Sequence, residues 1–416
     1  MSRKAGEDRD ILGAVDADRT GLAMESRRSH LLYFVTEDWF FCSHFMERAV
    51  AAQQAGYDVT ILTHVKDCGD KIRDAGLSLA PLDIQRKSLN PIREISTIIQ
   101  IARIYSREQP QLVHQFALKP IIYGAIAARL AGINRCVNAP LGMGFVFSSS
   151  SLLARILRPA VRIALSLLLN PAGSKVVFEN ADDFEEAIED GLVCRQTAVL
   201  IRGAGVDTDG FWPGSEPPGI PKVVLVSRML WEKGIGEFVE AARSLRERGV
   251  VARFLLVGAP DLENPAAISP AQLGSWHQEG AVEWLGHRTD IAEILSDCHV
   301  FCLPSGYREG LPKSILEALA AGLPVVTTDV PGCREAVSHG DNGLLVPSRN
   351  PEALADALTT LIQNPSLRRR MGANGRLRAE QEFASPLVCE ATLVLYREML
   401  EGEGSVNEEN HPHVSE

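Results

Sequence analysis

The sequence has 416 residues, of which 45% are apolar and 23% charged, and its formal net charge is −11 at pH 7. The length favours two domains over one or three, and the composition is typical of a soluble globular protein. The acidic balance argues against a nucleic-acid partner, and eight scattered cysteines without a C-x-x-C pair favour a reduced, cytoplasmic protein over a disulfide framework or a metal site.

Residues 1–29 are charged and poor in large apolar side chains, which predicts a disordered leader without a secretory signal. A predicted strand at residues 31–35 then leads through an aromatic loop to a helix at residues 43–54. In this segment Trp39 and Phe40 either shape a ligand pocket or pack inward. His44 lies either on the helix face or in that pocket, and the sequence leaves both alternatives open.

His114 lies at the end of a later predicted strand, residues 111–115, and Lys119 opens the helix that follows. In doubly wound folds the carboxyl ends of parallel strands face the ligand crevice. His114 is therefore a candidate ligand-binding residue, although a lone histidine in such a place is about as often structural.

An amphipathic segment follows at residues 151–169, where Arg155, Arg158 and Arg162 form a narrow polar stripe among leucine and isoleucine. A basic amphipathic helix of this kind can lie in a membrane interface. The alternative is a helix that packs its apolar face on its own domain while the arginines reach solvent. We expect membrane contact, because basic and apolar side chains are concentrated in one place of an acidic chain.

The boundary between the two domains is predicted at a linker rich in Pro and Gly, residues 213–221. The first domain then spans residues 30–212 and the second residues 213–385. A final helix is predicted at residues 386–402, and the acidic tail at residues 403–416 is expected to be disordered.

Arg228 and Lys233 lie in a Gly-containing loop between the first predicted strand of the second domain and a helix. A strand, a basic loop and a helix start form a layout that holds a diphosphate, in which Arg makes forked contacts and Lys supplies a point charge. An Arg and a Lys five residues apart are usually only solvated, but their position after a buried strand favours binding. A second loop, Gly286-His287-Arg288, could hold a base through its backbone groups.

Two carboxylates eight residues apart, Glu309 and Glu317, stand out in the stretch at residues 299–330, which is predicted to run strand, loop, helix, strand. Taken alone, two glutamates at this spacing are more often solvated surface than a site. The loop between them is small, so its backbone amides and the helix start could bind an anion. The amides concerned are those of Gly310, Leu311 and Lys313.

The pattern PSGYREGLPKSILEALAAGLPVVTTDVPGCRE resembles the nucleotide-sugar half of the retaining GT-B glycosyltransferases of family 4, whose E-x7-E motif matches Glu309 and Glu317. SRMLWEKG and GAGVDTDGFWP match two further elements of that family. VHQFALKPIIYGAIAARLAG, followed by NAPLGMGFVF, is similar to a bacterial subgroup that builds polysaccharide or glycan on lipid carriers. The resemblance covers roughly residues 30–400.

This resemblance implies an α/β fold of two Rossmann-like, doubly wound domains that face a cleft, with the C-terminal helix crossing back to the first domain. It implies that the first domain binds the acceptor and the second the nucleotide sugar. It also places Asp207 in a linker pattern, so that Asp207 and Asp209 are not expected to form a D-x-D metal site. A Gly-Gly pair that many members carry after the first strand is missing here, and Phe116 stands where the family often has a second histidine after His114.

The same resemblance implies roles for the candidate residues. Arg228 and Lys233 would hold the diphosphate, Glu317 would hydrogen-bond the ribose, and Glu309 would approach the sugar. The loop at residues 286–288 would hold the base, and His114 would contact the donor sugar.

We therefore predict a retaining, metal-independent glycosyltransferase that needs no cofactor. It would move a hexose or N-acetylhexosamine from a UDP-sugar to a polyprenyl-diphosphate-linked glycan at the cytoplasmic face of the membrane. Lys119, Arg155, Arg158 and Arg162 would serve the acceptor or the membrane surface. The alternatives are a soluble acceptor, a sugar-nucleotide epimerase of related architecture, and a non-catalytic nucleotide-sugar-binding protein.

Overall fold

The computed structural model describes residues 28–85, 90–141, 162–163 and 165–401. The predicted tail at residues 403–416 lies outside these ranges, as does the predicted leader at residues 1–29 apart from its last two residues. Arg155 and Arg158 of the predicted amphipathic segment also lie outside them.

Parallel strands in two sheets form the framework of the described chain. The strands are β1 His30–Glu37, β2 Asp58–His64, β3 Ser78–Pro81, β4 Leu112–Phe116, β5 Cys136–Ala139, β6 Ser174–Phe178, β7 Ala198–Leu200, β8 Lys222–Val226, β9 Arg253–Val257, β10 Glu283–Trp284, β11 Val300–Leu303, β12 Val325–Thr328 and β13 Gly343–Val346. The first sheet has the order β3-β2-β1-β4-β5-β6-β7 and the second β10-β9-β8-β11-β12-β13. Strand order reverses beside β1 and beside β8, and ligand crevices of doubly wound sheets open at such reversals.

Helices connect these strands. They are α1 Asp38–His44, α2 Met46–Gln54, α3 Gly69–Asp74, α4 Pro91–Glu108, α5 Leu118–Ala131, α6 Ala181–Glu189, α7 Ile235–Glu247, α8 Pro270–Gln278, α9 Ile291–Ser296, α10 Lys313–Ala320, α11 Cys333–Ala336, α12 Pro351–Gln363, α13 Pro365–Arg378 and α14 Ser385–Glu401. Several begin at an Asn or Ser whose side chain accepts a hydrogen bond from the first turn, which is the usual way to satisfy the free amides of a helix start. These capping residues are Asn90, Asn180, Ser269, Asn350 and Asn364.

The central strands are apolar because helices cover both faces of a parallel sheet. Leu31 and Val35 of β1 are at most 1% exposed, and Val224 of β8 is fully buried. The core of the second domain is one continuous cluster, whereas the first sheet separates apolar clusters on its two faces. The structure confirms the predicted pair of doubly wound domains.

The last helix crosses from the second domain to the first, as predicted. The chain pairs with itself at the crossing, where Val206 and Ala384 form a parallel bridge. Beyond it, Leu395, Tyr396 and Met399 of α14 are buried in the core of the first domain together with residues of α2. The first domain is therefore completed by a helix that follows the whole second domain in sequence.

The segment after β1 differs from the prediction. The single helix expected at residues 43–54 is two helices, α1 and α2, because Phe45 leaves the helical region at φ −130° and ψ −4°. Phe45 is fully buried and stacks on Phe116 with ring centroids 3.9 Å apart. Burial of this ring breaks the helix, and α1 consequently lies along the carboxyl edge of the first sheet.

Candidate active site

The loop after β8 brings two cations to the carboxyl edge of the second sheet. Arg228 lies just beyond the strand, and Lys233 ends a 3₁₀ turn formed by Trp231–Lys233. Gly234 then takes the left-handed region at φ 74°, and a Cβ atom there would lie 1.9 Å from the carbonyl oxygen of Pro304. This close approach requires glycine and brings the basic loop against the loop that follows β11.

Both cations are paired with carboxylates. Arg228 Nη1 donates to Asp261 Oδ2 at 2.7 Å, and Lys233 Nζ donates to Glu309 Oε1 at 2.6 Å. The same Glu309 oxygen accepts from the hydroxyl of the fully buried Ser305 at 2.8 Å. Glu309 is only 8% exposed, so these two donors, rather than water, stabilise its negative charge. The structure therefore brings the predicted Lys233 and Glu309 together, with Arg228 in the same loop as Lys233.

Residues 304–312, here called the carboxylate loop, are also held from the first domain. Asn180 Nδ2 donates to the carbonyl oxygens of Gly310 at 2.8 Å and Glu309 at 3.3 Å. The Oδ1 atom of the same side chain caps α6 by accepting from Asp183 N at 2.8 Å. Arg308 of the loop in turn pairs with the buried Asp183. Both domains thus fix the position of the loop.

Glu179 is a site residue that sequence reasoning missed. It follows β6 at the carboxyl edge of the first sheet, and its carboxylate accepts a hydrogen bond from the backbone of Leu311. Burial raises the pKa of Glu179 to about 7, against the opposing effect of Arg48. The amide of Leu311, which the sequence offered to an anion, is used by this carboxyl group. Its position directly after a buried strand was the available signal.

Glu317 lines a cavity of about 550 Å³, together with residues 210–212, which precede the linker, and the start of α9. Burial raises the pKa of this carboxyl to about 7, and the nearby Lys313 only partly offsets that effect. Gly286, His287 and Arg288 immediately precede this cavity in sequence. The Arg288 guanidinium pairs with Asp290, one of the cavity residues, at 2.7 Å. The predicted ribose and base residues therefore share one region of the second domain.

Helix α1 of the first domain lies against the cations of the second. The guanidinium carbon of Arg228 is 5.9 Å from the ring centroid of Trp39. Lys313 Nζ donates to the carbonyl oxygen of Ser43 at 2.6 Å. Burial and the nearby Lys313 together lower the pKa of His44 to about 3. The sequence left open whether Trp39 and His44 face a ligand pocket. In the structure both side chains lie beside the cleft between the domains.

His114 is buried in the first domain, and its predicted catalytic role stays a prediction. It is 1% exposed, its Nδ1 atom lies 2.6 Å from the hydroxyl of Tyr396, and its ring stacks on Phe116 at 4.0 Å. Burial lowers its pKa well below the usual value. Tyr396 belongs to the returning helix α14, so His114 anchors that helix to the sheet.

The predicted acceptor residue Lys119 is engaged within the first domain. Its Nζ atom lies 2.9 Å from a carboxylate oxygen of Glu94 and donates to the carbonyl oxygen of Gln85 at 2.6 Å. Any contact between Lys119 and an acceptor would have to compete with these partners.

The described end of the predicted amphipathic segment has two faces. Leu165 and Leu169 are buried against the first domain, whereas Ile163 and Leu167 are 62% and 67% exposed. Arg162 lies 3.0 Å from a carboxylate oxygen of Asp190 in the same domain. Among the residues that the structure describes, no helix combines the length and apolar character needed to cross a bilayer.

Asp207 and Asp209 form a local turn. Asp207 Oδ1 accepts from the backbone amides of Asp209 at 3.0 Å and Gly210 at 2.9 Å. Within the described ranges, no group of three or more His, Cys, Asp or Glu side chains is arranged to hold a metal ion. Metal independence of the reaction stays a prediction.

Two family models match the chain. Residues 211–378 match the model described as "Glycosyl transferases group 1", and residues 30–170 match "Glycosyl transferase 4-like". The first match contains Arg228, Lys233, Glu309 and Glu317, and the second contains α1 and His114.

Curated relatives resemble the chain over most of its length. It is 30% identical over 352 residues to the N,N'-diacetylbacillosaminyl-diphospho-undecaprenol alpha-1,3-N-acetylgalactosaminyltransferase of Campylobacter jejuni, covering 82% of this chain and 90% of that protein. It is 25% identical to the UDP-Gal:alpha-D-GlcNAc-diphosphoundecaprenol alpha-1,3-galactosyltransferase of Escherichia coli, covering 68% and 74%.

Solved structures share the fold at lower identity. Sucrose-phosphate synthase from Thermosynechococcus elongatus superposes with a TM-score of 0.74 at 19% identity, covering 90% of this chain and 100% of that one. The Anabaena protein HepE, solved in complex with UDP and glucose, gives 0.71 at 17% identity, covering 88% and 98%.

Proposed function

Because the chain belongs to the family 4 glycosyltransferases of the GT-B fold, we propose that it transfers a sugar, with retention of anomeric configuration, from a UDP-sugar to a lipid-linked glycan. The observation that carries the proposal is the grouping of Arg228, Lys233 and Glu309 at the carboxyl edge of the second sheet, beside the strand-order reversal.

The cations would hold the diphosphate of the donor. Arg228 is 38% exposed in its side chain and can reach an entering phosphate, while Lys233 is 18% exposed and already donates to Glu309. Phosphate oxygens form charge-assisted hydrogen bonds with both side-chain types. Glu317 would accept from the ribose hydroxyls, and residues 286–288 would face the base. A UDP donor is supported by HepE, a fold neighbour solved with UDP, and by a relative named for UDP-Gal.

The reaction breaks the bond between the anomeric carbon and the diphosphate oxygen. Positive charge develops on the sugar ring while negative charge grows on the departing diphosphate. Arg228 and Lys233 would stabilise that negative charge, which is the main electrostatic task in a site proposed to work without a metal. The acceptor hydroxyl forms the new bond on the same face, and its proton passes to the departing diphosphate. Glu309 would lie near the sugar and offset the developing positive charge.

The acceptor is proposed to be a glycan on a polyprenyl diphosphate. Both relatives above are named for acceptors of the diphospho-undecaprenol class. Ile163 and Leu167 expose apolar surface on the first domain, next to Arg162, and such a surface would suit the inner face of the cytoplasmic membrane. Arg155 and Arg158 precede Arg162 in sequence, outside the described residues, and are likewise proposed to serve the acceptor or the membrane surface.

Two other functions would use the same fold. A sugar-nucleotide epimerase needs no second substrate, and a glycosyltransferase with a soluble acceptor needs no lipid. The carboxylate loop is held by both domains, which favours a reaction between two substrates across the cleft over chemistry on the donor alone.

A donor screen tests the proposal. Purified protein is incubated with each common UDP- and GDP-sugar in the presence of EDTA, with and without a bacterial lipid extract, and release of nucleoside diphosphate is measured. We expect release from one UDP-sugar, increased by lipid and lost in Arg228→Ala and Glu309→Gln. Release of an epimerised sugar nucleotide, equal rates with and without lipid, or full activity of both variants would each contradict a stated part of the proposal.

A further inference from the structure

Helix α1 forms the wall of the cleft opposite the cations of the second domain. Its carbonyl at Ser43 accepts from Lys313, and its Trp39 ring lies over Arg228. His44 is in the last turn of the same helix, next to Ser43. Lys313, Lys233 and Arg228 are the side-chain cations whose charges act on this imidazole. His44 is thus on the first domain at the point where the two domains meet around the predicted diphosphate site.

The imidazole of His44 has packing partners but lacks a polar side-chain partner. Its ring centroid is 4.3 Å from that of Phe40 and 6.0 Å from that of Phe45. Its Nδ1 atom is buried without a hydrogen-bond partner of good geometry, and the backbone carbonyl of Phe40 one turn earlier is the nearby acceptor. Buried polar groups are usually satisfied in native proteins, so the polar partner that this imidazole lacks among the described side chains can be supplied by a ligand in the cleft.

The charge around His44 determines which ligand group it suits. Burial and the neighbouring Lys313 lower its pKa to about 3, so the ring is neutral at every physiological pH. A neutral imidazole has one donor and one acceptor nitrogen. A phosphate can only accept hydrogen bonds and is already matched by the cations, whereas a sugar hydroxyl both donates and accepts. A hydroxyl therefore complements either tautomer of this ring.

We propose that His44 is a sugar-binding residue, which hydrogen-bonds a hydroxyl of a sugar held between helix α1 and the cations. This inference rests on the proposed function. The ring of Trp39 or Phe40 beside it offers an apolar surface for the C–H face of the same sugar.

The hydroxyl can belong to the donor sugar or to the acceptor sugar, and binding measurements separate the two. If the donor supplies it, His44→Phe weakens binding of the UDP-sugar but leaves binding of UDP alone unchanged. If the acceptor supplies it, donor binding stays the same and the KM for the lipid-linked acceptor rises. In either case we expect a loss of about fivefold to tenfold, as for one neutral hydrogen bond.

The substitutions are chosen to distinguish binding from packing. His44→Phe keeps a ring against Phe40 and Phe45 but has no polar atom, whereas His44→Asn and His44→Gln place an amide near the positions of Nδ1 and Nε2. A sugar contact predicts that one of the amide variants outperforms His44→Phe. A purely structural role predicts the reverse, because the surrounding rings are apolar. Cys42→Ala, elsewhere on α1, controls for disturbance of the helix and should transfer at the normal rate.

Thermal unfolding and UDP binding are measured for each variant so that only folded proteins with an intact diphosphate site are compared. Full transfer activity in His44→Phe, or an equal loss in all three folded variants, would overturn the inference while leaving the proposed function intact. A wild-type protein that transfers no sugar would instead remove the proposed function on which the inference rests.

Discussion

Substitution of Lys233 should destabilise the protein more than substitution of Arg228, although both side chains are proposed to bind the donor diphosphate. The side chain of Lys233 is 18% exposed and that of its partner Glu309 is 10% exposed, whereas the side chain of Arg228, beside Asp261, is 38% exposed. Truncating one member of a buried pair leaves an uncompensated charge and costs about 3–5 kcal/mol, while an exposed pair contributes at most about 1 kcal/mol. Because the Lys233 pair is not wholly buried, we expect about 3 kcal/mol for Lys233→Ala and under about 1 kcal/mol for Arg228→Ala.

These differences can be measured as melting temperatures. For a unit of roughly 150–250 residues, 1 kcal/mol shifts Tm by about 2–4 °C. Lys233→Ala should therefore lower Tm by about 6–12 °C and Arg228→Ala by less than about 4 °C. Both variants should weaken UDP binding by roughly 10- to 100-fold in calorimetry, since each loses a hydrogen bond to a charged group.

Lys222→Ala is the matched control. The side chain of Lys222 is 17% exposed, close to the 18% of Lys233, but that of its partner Asp297 is 62% exposed. Lys222 begins β8, so this pair lies at the amino end of that strand, away from the cleft. This variant should change Tm slightly and leave UDP binding unchanged. Equal losses of stability in Lys233→Ala and Arg228→Ala, or normal UDP affinity in Lys233→Ala, would refute the assignment of these two side chains.

Three further outcomes follow from the geometry. Gly234→Ala should abolish transfer and destabilise the second domain by more than about 3 kcal/mol in urea unfolding. The reason is that the Cβ of alanine would overlap the carbonyl oxygen of Pro304. A stable, active variant would contradict the backbone conformation described at Gly234. Since desolvation raises the pKa of Glu317 to about 7, the stability contributed by its protonated carboxyl is present below about pH 4.5 and is lost as pH rises through 7. Glu317→Gln should flatten that part of the Tm–pH curve, and an unchanged curve would argue against the raised pKa. Tyr396→Phe should lower the free energy of unfolding by about 1–3 kcal/mol, because the Nδ1 atom of His114 loses its hydrogen-bond partner. UDP affinity should be preserved, and weaker UDP binding would indicate that His114 contributes to the donor site.

Local pattern was enough to predict much of the fold. Alternating strands and helices, the linker and the position of the final helix all follow from apolar periodicity and from Pro and Gly. The same patterns placed Arg228 and Lys233 after one strand and Glu309 after another. Parallel strands in one sheet bring their carboxyl ends together, and in the structure Lys233 and Glu309 pair there.

The features that local pattern could not predict are contacts between distant parts of the chain. His114 was offered as a ligand-binding residue because it nears a strand end, and nothing local indicated that Tyr396, 282 residues later, contacts its Nδ1 atom. The break between α1 and α2 depends on the stacking of Phe45 on Phe116, which no local propensity encodes. Glu179 gains its site role only because the carboxylate loop of the other domain reaches it. Each depends on tertiary packing rather than on a local period.

The double anchoring of the carboxylate loop limits how these two domains can be recombined with those of other proteins. Asn180 and Asp183 of the first domain contact a loop whose carboxylate, Glu309, belongs to the second. A hybrid enzyme that joins this first domain to a foreign second domain would keep Asp183 buried, and without an arginine at position 308 its charge would lose its partner. A functional exchange of domains between relatives therefore requires these contacts to be transplanted as a set, together with the helix α14 that completes the first domain.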